Sequence, residues 1–149
     1  VELDEIDRKI LDLLCEDTRR PFTEIAENIG DSEGTVRKRV KCMKNEGVIK
    51  RYSVELDPSK LGYEMVSILG LGVEPQNLLK VVDEIREFDE VKWAAKSTGD
   101  HMIMAEIWAK DAEQLSRIIS DKIGQLEGVR DLKPSILLEK KNKGSKCIS

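Results

Sequence analysis

Apolar residues recur at helical spacing in the first third of the chain and in strand-like runs further on. From Asp4 to Asp17, Ile6, Ile10, Leu13 and Leu14 share one side of a helix that Asp4 can cap. Arg19-Arg20-Pro21 breaks the pattern. A second helix is predicted from near Thr23, where Thr23 and Glu24 suit the positive N-terminal end; it buries Ile25, Ala26 and Ile29 and ends at Gly30. Ser32 caps a third helix that runs to about Glu46 and stops at Gly47, with Val36, Val40 and Met43 as its apolar stripe. Val48 to Leu56 then alternates as a short β-ribbon or wing would, and Asp57-Pro58-Ser59 ends it.

The rhythm changes after Gly62. Glu64 to Val73 reads as a strand, and Pro75 opens a helix with Leu78, Leu79, Val82 and Ile85 on one face. Val91 to Ser97 and His101 to Trp108 are two strands joined by the turn Thr98-Gly99-Asp100. A helix from Asp111 to about Leu126 buries Leu115, Ile118, Ile119 and Ile123, and Val129 to Leu138 supplies a last strand. The order β-α-β-β-α-β is that of a ferredoxin-like split βαβ unit. The expected fold class is therefore α+β: an N-terminal winged helix-turn-helix domain (1–57), a linker (58–63), a ferredoxin-like domain (64–139) and a basic flexible tail (140–149). The stretch His101 to Trp108 reads as apolar on both faces although helices can cover only one, which asks for a partner such as a second copy of the chain.

Charge sharpens the first domain. The chain is mildly acidic, with net charge −4, so nothing in its total charge suggests a polyanionic partner. Between Val36 and Arg51, however, seven cations (Arg37, Lys38, Arg39, Lys41, Lys44, Lys50, Arg51) stand with one anion, Glu46, while Glu2 to Asp17 holds seven anions and two cations. Such a dipolar domain meets phosphates with one face only. At about 100° per residue, Gly34, Lys38 and Lys41 point away from the apolar stripe, with Thr35 and Arg37 on its flanks. Ala26, Gly30 and Val36 have the spacing of a helix-turn-helix: a small residue at the helix crossing, a sharp turn, and an apolar anchor on the second helix. These features imply that the third helix enters a DNA major groove. Ser32, Gly34, Thr35, Arg37 and Lys38 are candidates for base edges and nearby phosphates. Thr23, Arg39, Lys41, Lys44, Lys50 and Arg51 are candidates for backbone contacts.

Other chemistry is thin. Cys15, Cys42 and Cys147 are scattered and lack metal spacing, so free thiols in a cytoplasmic protein are expected. No apolar run approaches the roughly 20 residues of a membrane span. His101, the single histidine, has only Asp100 beside it, and no catalytic set or phosphate loop can be built around it. Neither an enzyme nor a cofactor is expected.

The chain resembles an archaeal member of the Lrp/AsnC (leucine-responsive, or feast/famine) family of transcription factors. The residues that carry the resemblance are Asp4-Glu5-Ile6-Asp7-Arg8-Lys9-Ile10-Leu11, Val36-Arg37-Lys38-Arg39-Val40, Gly47-Val48-Ile49, Leu56-Asp57-Pro58, Gly99-Asp100-His101-Met102 and Ile123 to Val129. The resemblance implies a DNA-reading domain and a second domain that dimerises, often builds octamers, and binds small effectors near the turn between its second and third strands. Carried over, that turn is Thr98, Gly99, Asp100, His101 and Met102. Met102 stands where many amino-acid-responsive members have an acidic residue, and a thioether offers no charge to an ammonium group. Asp31 replaces a usual apolar turn residue.

The expected function is sequence-specific regulation of transcription by a homo-oligomer on pseudo-palindromic promoter sites, modulated by a small effector. Double-stranded DNA, further copies of the chain, an amino acid or similar effector, and the basal transcription machinery are the expected partners. A metabolite sensor with weak DNA binding and an architectural DNA-wrapping protein are the alternatives.

Overall fold

The computed structural model describes residues 1–141 and 148. It contains two compact units, one from Val1 to Glu55 joined by the end of the chain, the other from Leu56 to Lys140.

The first unit is three helices: α1 (Glu5–Glu16), α2 (Phe22–Ile29) and α3 (Glu33–Asn45). Asp4 caps α1 through a reciprocal box, its carboxylate accepting from the Asp7 N–H while the Asp7 carboxylate accepts from its own. α2 begins one residue before the expected Thr23, after Pro21, and has no side-chain cap. Gly30 turns the chain with φ of 73°, where an L side chain is strained, and the Asp31 N–H closes back onto the Ala26 carbonyl at 3.0 Å. Asp31 then accepts from the Ser32 N–H at 2.7 Å, so it serves the turn by hydrogen bonding where an apolar residue would pack. Ile10, Leu14, Ile25, Ala26, Val36, Val40 and Met43 form one buried cluster.

Two expectations for this unit are corrected. No strand forms between Val48 and Leu56, so there is no wing here: Ile49 packs partly onto the helical core, and Tyr52, Val54 and Leu56 are exposed. Alternation marks a segment able to pair, but a ladder needs a second strand, and the described residues of the first unit contain none. Cys15 is disulfide-bonded rather than free, because sulfur pairing follows spatial approach and not sequence separation. Cys42 is free and exposed, and Cys147 lies outside the described residues. The expected flexible tail falls largely on residues outside the description as well; Ile148 donates its N–H to Asp12 of α1 at 3.2 Å.

The second unit starts with a short 3-10 turn, Ser59–Leu61, and continues through β1 (Met65–Val73), a 3-10 turn at Pro75–Asn77, α4 (Leu78–Arg86), β2 (Val91–Lys96), β3 (Ile103–Ala109), α5 (Ala112–Arg117) and β4 (Val129–Ile136). The sheet order is β2-β3-β1-β4 with every neighbouring pair antiparallel, the ferredoxin-like arrangement. Leu69, Leu71 and Val73 of β1 and Ile103, Ala105, Ile107 and Ala109 of β3 pack with Val81, Ile85, Leu115, Ile118, Ile119 and Ile123.

Three details depart from the sequence pattern. α4 buries Val81 and Ile85 and packs Leu78 and Val82 partly against the core, whereas Leu79 is 65% exposed; the stripe is i, i+3, i+4, i+7, which Leu79 does not join. The helix expected from Asp111 to Leu126 is α only to Arg117, then a π segment (Ile118–Lys122) and a 3-10 turn (Ile123–Gln125). β3 begins at Ile103, and it is not apolar on both faces: its second face presents Met104, Glu106 and Trp108, all half-buried. By alternation Val66 and Ile68 of β1 share that second face, which among the described residues no helix of the second unit covers.

Candidate DNA-binding surface and effector loop

The N-terminus of α3 is built by Ser32. Its hydroxyl accepts the Thr35 N–H at 3.1 Å and lies 3.0 Å from the Thr35 hydroxyl. Beside it Gly34 is exposed, and a Cβ there would meet only the Ser32 Oγ at 3.8 Å, so the helix backbone stands open to close approach. Lys38 and Lys41 lie exposed on the same outer face, and Arg37 and Lys44 on its flank.

The cations are not equivalent. Arg37 pairs with Glu33 one turn earlier and holds its guanidinium 5.5 Å from the Phe22 ring centroid. Lys44 sits 5.2 Å from the Tyr52 ring centroid. Arg39 turns inward: its Nη1 donates to Asp4 at 2.7 Å and to Asp7 at 2.9 Å, and its side chain is 28% exposed. The Asp7 N–H and then the Arg39 guanidinium hold the Asp4 carboxyl below the usual carboxylate range, and the two carboxylates raise Arg39. Lys50 and Arg51 are exposed on a segment without regular structure, and Thr23 is exposed in the first turn of α2.

Of the expected contact residues, then, Ser32, Gly34, Thr35, Arg37, Lys38, Lys41 and Lys44 come together along α3. Thr23, Lys50 and Arg51 stand on other segments, and Arg39 is spent on α1. Glu33, Phe22 and Tyr52 were missed. The i, i+4 spacing of Glu33 and Arg37 was readable, whereas the aromatic supports come from tertiary packing. A cavity of about 410 Å3 opens beside α3, with Leu3, Asp7, Thr35, Arg39, Cys42 and Met43 among its lining residues.

The residues expected to bind an effector do not converge. Thr98, Gly99 and Asp100 are exposed. The Met102 N–H donates to the Leu71 carbonyl at 3.0 Å and its side chain packs against the sheet core. His101 folds over Gly70 so closely that a Cβ on that glycine would lie 2.5 Å from the imidazole Cδ2, and its Nδ1 is buried without a hydrogen-bond partner among the described residues. The imidazole therefore needs the missing side chain of Gly70, a coupling between β1 and the turn that spacing alone does not reveal. Among the described residues no group of three or more His, Cys, Asp or Glu side chains could hold a metal ion, and no helix is long and apolar enough to cross a membrane.

Comparison with known proteins matches this geometry. The AsnC-type helix-turn-helix domain matches residues 3–44 and the Lrp/AsnC ligand binding domain residues 66–146. The HTH-type transcriptional regulator LrpA of Pyrococcus abyssi is 49% identical over 138 residues, 93% of this chain and 98% of that protein. The structure of E. coli AsnC superposes with a TM-score of 0.86 at 24% identity, covering 96% of this chain and 97% of that one. A transcriptional regulator of Neisseria meningitidis, solved as its L-Met complex, superposes at 0.88 with 21% identity over 99% and 97%. With a helix-turn-helix in its first unit, a ferredoxin-like second unit and matches across nearly its whole length, the chain belongs to the Lrp/AsnC family of helix-turn-helix transcriptional regulators and is not an enzyme.

Proposed function

We propose that this regulator acts in the cytoplasm as a homo-oligomer whose paired α3 helices read two half-sites of a pseudo-palindromic promoter. The single observation that carries the reading is the outer face of α3, where Gly34, Lys38 and Lys41 are exposed together above a capped helix start. A cationic face with an unobstructed backbone suits the major groove. One short helix reads few base pairs, so useful specificity needs two copies. The half-buried sheet face carrying Val66, Ile68, Met104 and Trp108 supports pairing through the second unit, residues 64–139. In this reading residues 1–57 recognise DNA, 58–63 join the two parts, and dimers can build larger rings.

Within the reader, Ser32, Gly34, Thr35, Arg37 and Lys38 meet base edges and the nearest phosphates. Thr23, Lys41, Lys44, Lys50 and Arg51 meet phosphates. The exposed turn Thr98–Asp100 with His101 is the effector-responsive element, and the uncharged Met102 favours a ligand held by groups other than an ammonium-binding carboxylate. Contacts to the basal transcription machinery follow from promoter occupancy.

Selection of bound duplexes from random oligonucleotides tests the paired reading. The expected product is a pseudo-palindrome with half-site centres about 34–36 Å apart, or a multiple of that. Recovery of unrelated single sites, or of no preferred sequence, would overturn it. Thermal-shift screening with L-Met and other amino acids tests the effector reading: a concentration-dependent rise supports a ligand, and a flat series across the set counts against an amino acid.

A further inference from the structure

The structure separates Arg39 from the other cations of α3. It lies one turn beyond Val36 and next to Val40, both buried, so its side chain leaves the helix toward α1 and not toward solvent. One guanidinium nitrogen bonds two carboxylates, Asp4 at 2.7 Å and Asp7 at 2.9 Å. Those carboxylates are themselves fixed, because each accepts a backbone N–H of the other in the α1 capping box.

We propose that Arg39 is a positioning residue, a latch that sets the rotation of α3 against the N-terminus of α1, and that it does not contact DNA. The inference rests on α3 being the DNA-reading helix. Apolar burial among Val36, Val40, Met43, Ile10 and Leu14 holds the helices together, but it is non-directional and leaves rotation loosely defined. A planar guanidinium bound to two locked carboxylates is directional and so selects one rotation. The outward direction of Lys38, the residue immediately before it, is then inherited from the latch. Charge agrees: one cation between two anions leaves a local excess of negative charge, which repels phosphate.

The test uses the full chain on a selected operator duplex and on a random duplex of equal length, across a salt series. For Arg39→Met the expected result is roughly tenfold weaker operator binding, little change on random DNA, and an unchanged salt slope. Arg39→Lys keeps the charge but replaces the planar Nη1, whose two N–H bonds are set at a fixed angle toward Asp4 and Asp7, with a rotatable ammonium on a shorter stem, and should fall with it. Asp7→Asn should weaken operator binding even though removing an anion by itself favours DNA, and combining it with Arg39→Met should cost no more than the worse single change. Random-duplex affinity shows that each variant is folded, and Asp4→Asn gives the same reading if Asp7→Asn is not. A salt slope reduced by about one in Arg39→Met, with Arg39→Lys near wild type, would make Arg39 a phosphate contact and overturn the latch. Tighter operator binding by Asp7→Asn would overturn it as well. A wild-type protein with no preference for any operator would instead overturn the reading of α3, and the latch with it.

Discussion

Arg39 and Lys38 are neighbours in sequence and opposites in use. Helical geometry turns one toward α1 and the other outward, so a count of cations overstates what α3 offers to DNA. The outward set was legible from the apolar stripe, since Val36, Val40 and Met43 define the inside by themselves. The inward set was not, because Asp4 and Asp7 lie more than thirty residues away and only packing brings them across. The same carboxylates set an acid dependence. Asp4 has its folded-state pKa lowered from 3.8, chiefly by the Asp7 N–H and then by Arg39. A depressed carboxylate stabilises the fold above its unfolded value and loses that contribution as pH falls through the folded one. Urea titrations should therefore show stability declining as pH drops below about 3.8, with Asp4→Asn flattening part of that decline. Identical acid profiles for both proteins would contradict this.

Among the elements, those whose partners lie close in sequence were the most legible. The three helices of the first unit and the strand-helix order of the second follow from periodicity and caps, and Gly30 marks its turn. One element that failed, the wing after Gly47, had the right alternation and, among the described residues of the first unit, no strand to pair with. The long final helix failed for another reason. It changes from α to π at Ile118, and Ile118, Ile119 and Ile123 all remain buried through the change, so its hydrophobic pattern looks the same either way. α4 offers a clean check on register. Ile85→Ala should cost about 2–5 kcal/mol, whereas Leu79→Ala, at an exposed position, should stay within about 0.5 kcal/mol. Chemical denaturation measures both, and comparable losses would mean that Leu79 belongs to the core.

At the scale of the whole molecule, the two units supply different halves of regulation. The first presents a cationic helix from a chain that is acidic overall. The second presents a sheet with one face packed on helices and the other carrying Val66, Ile68, Met104 and Trp108, which no described helix of that unit covers. Ile68→Glu places a charge on that open face and should shift the protein to monomer in sedimentation velocity; an unchanged assembly would move the interface elsewhere. Both domains were legible in the sequence as domains, but the packing of the turn between β2 and β3 was not. His101 folds onto Gly70 and Met102 onto the core, which only the three-dimensional pairing of β1 with the turn discloses. The most direct test of the central claim, that the outer face of α3 reads DNA sequence, is the affinity ratio between a selected operator and random DNA at matched salt, for wild type and Lys38→Ala. The expected ratio for wild type is about 10³ or more, and the substitution should reduce operator binding by about 1–3 kcal/mol while leaving random DNA far less affected. Equal affinity for the two duplexes, or a ratio untouched by the substitution, would contradict it.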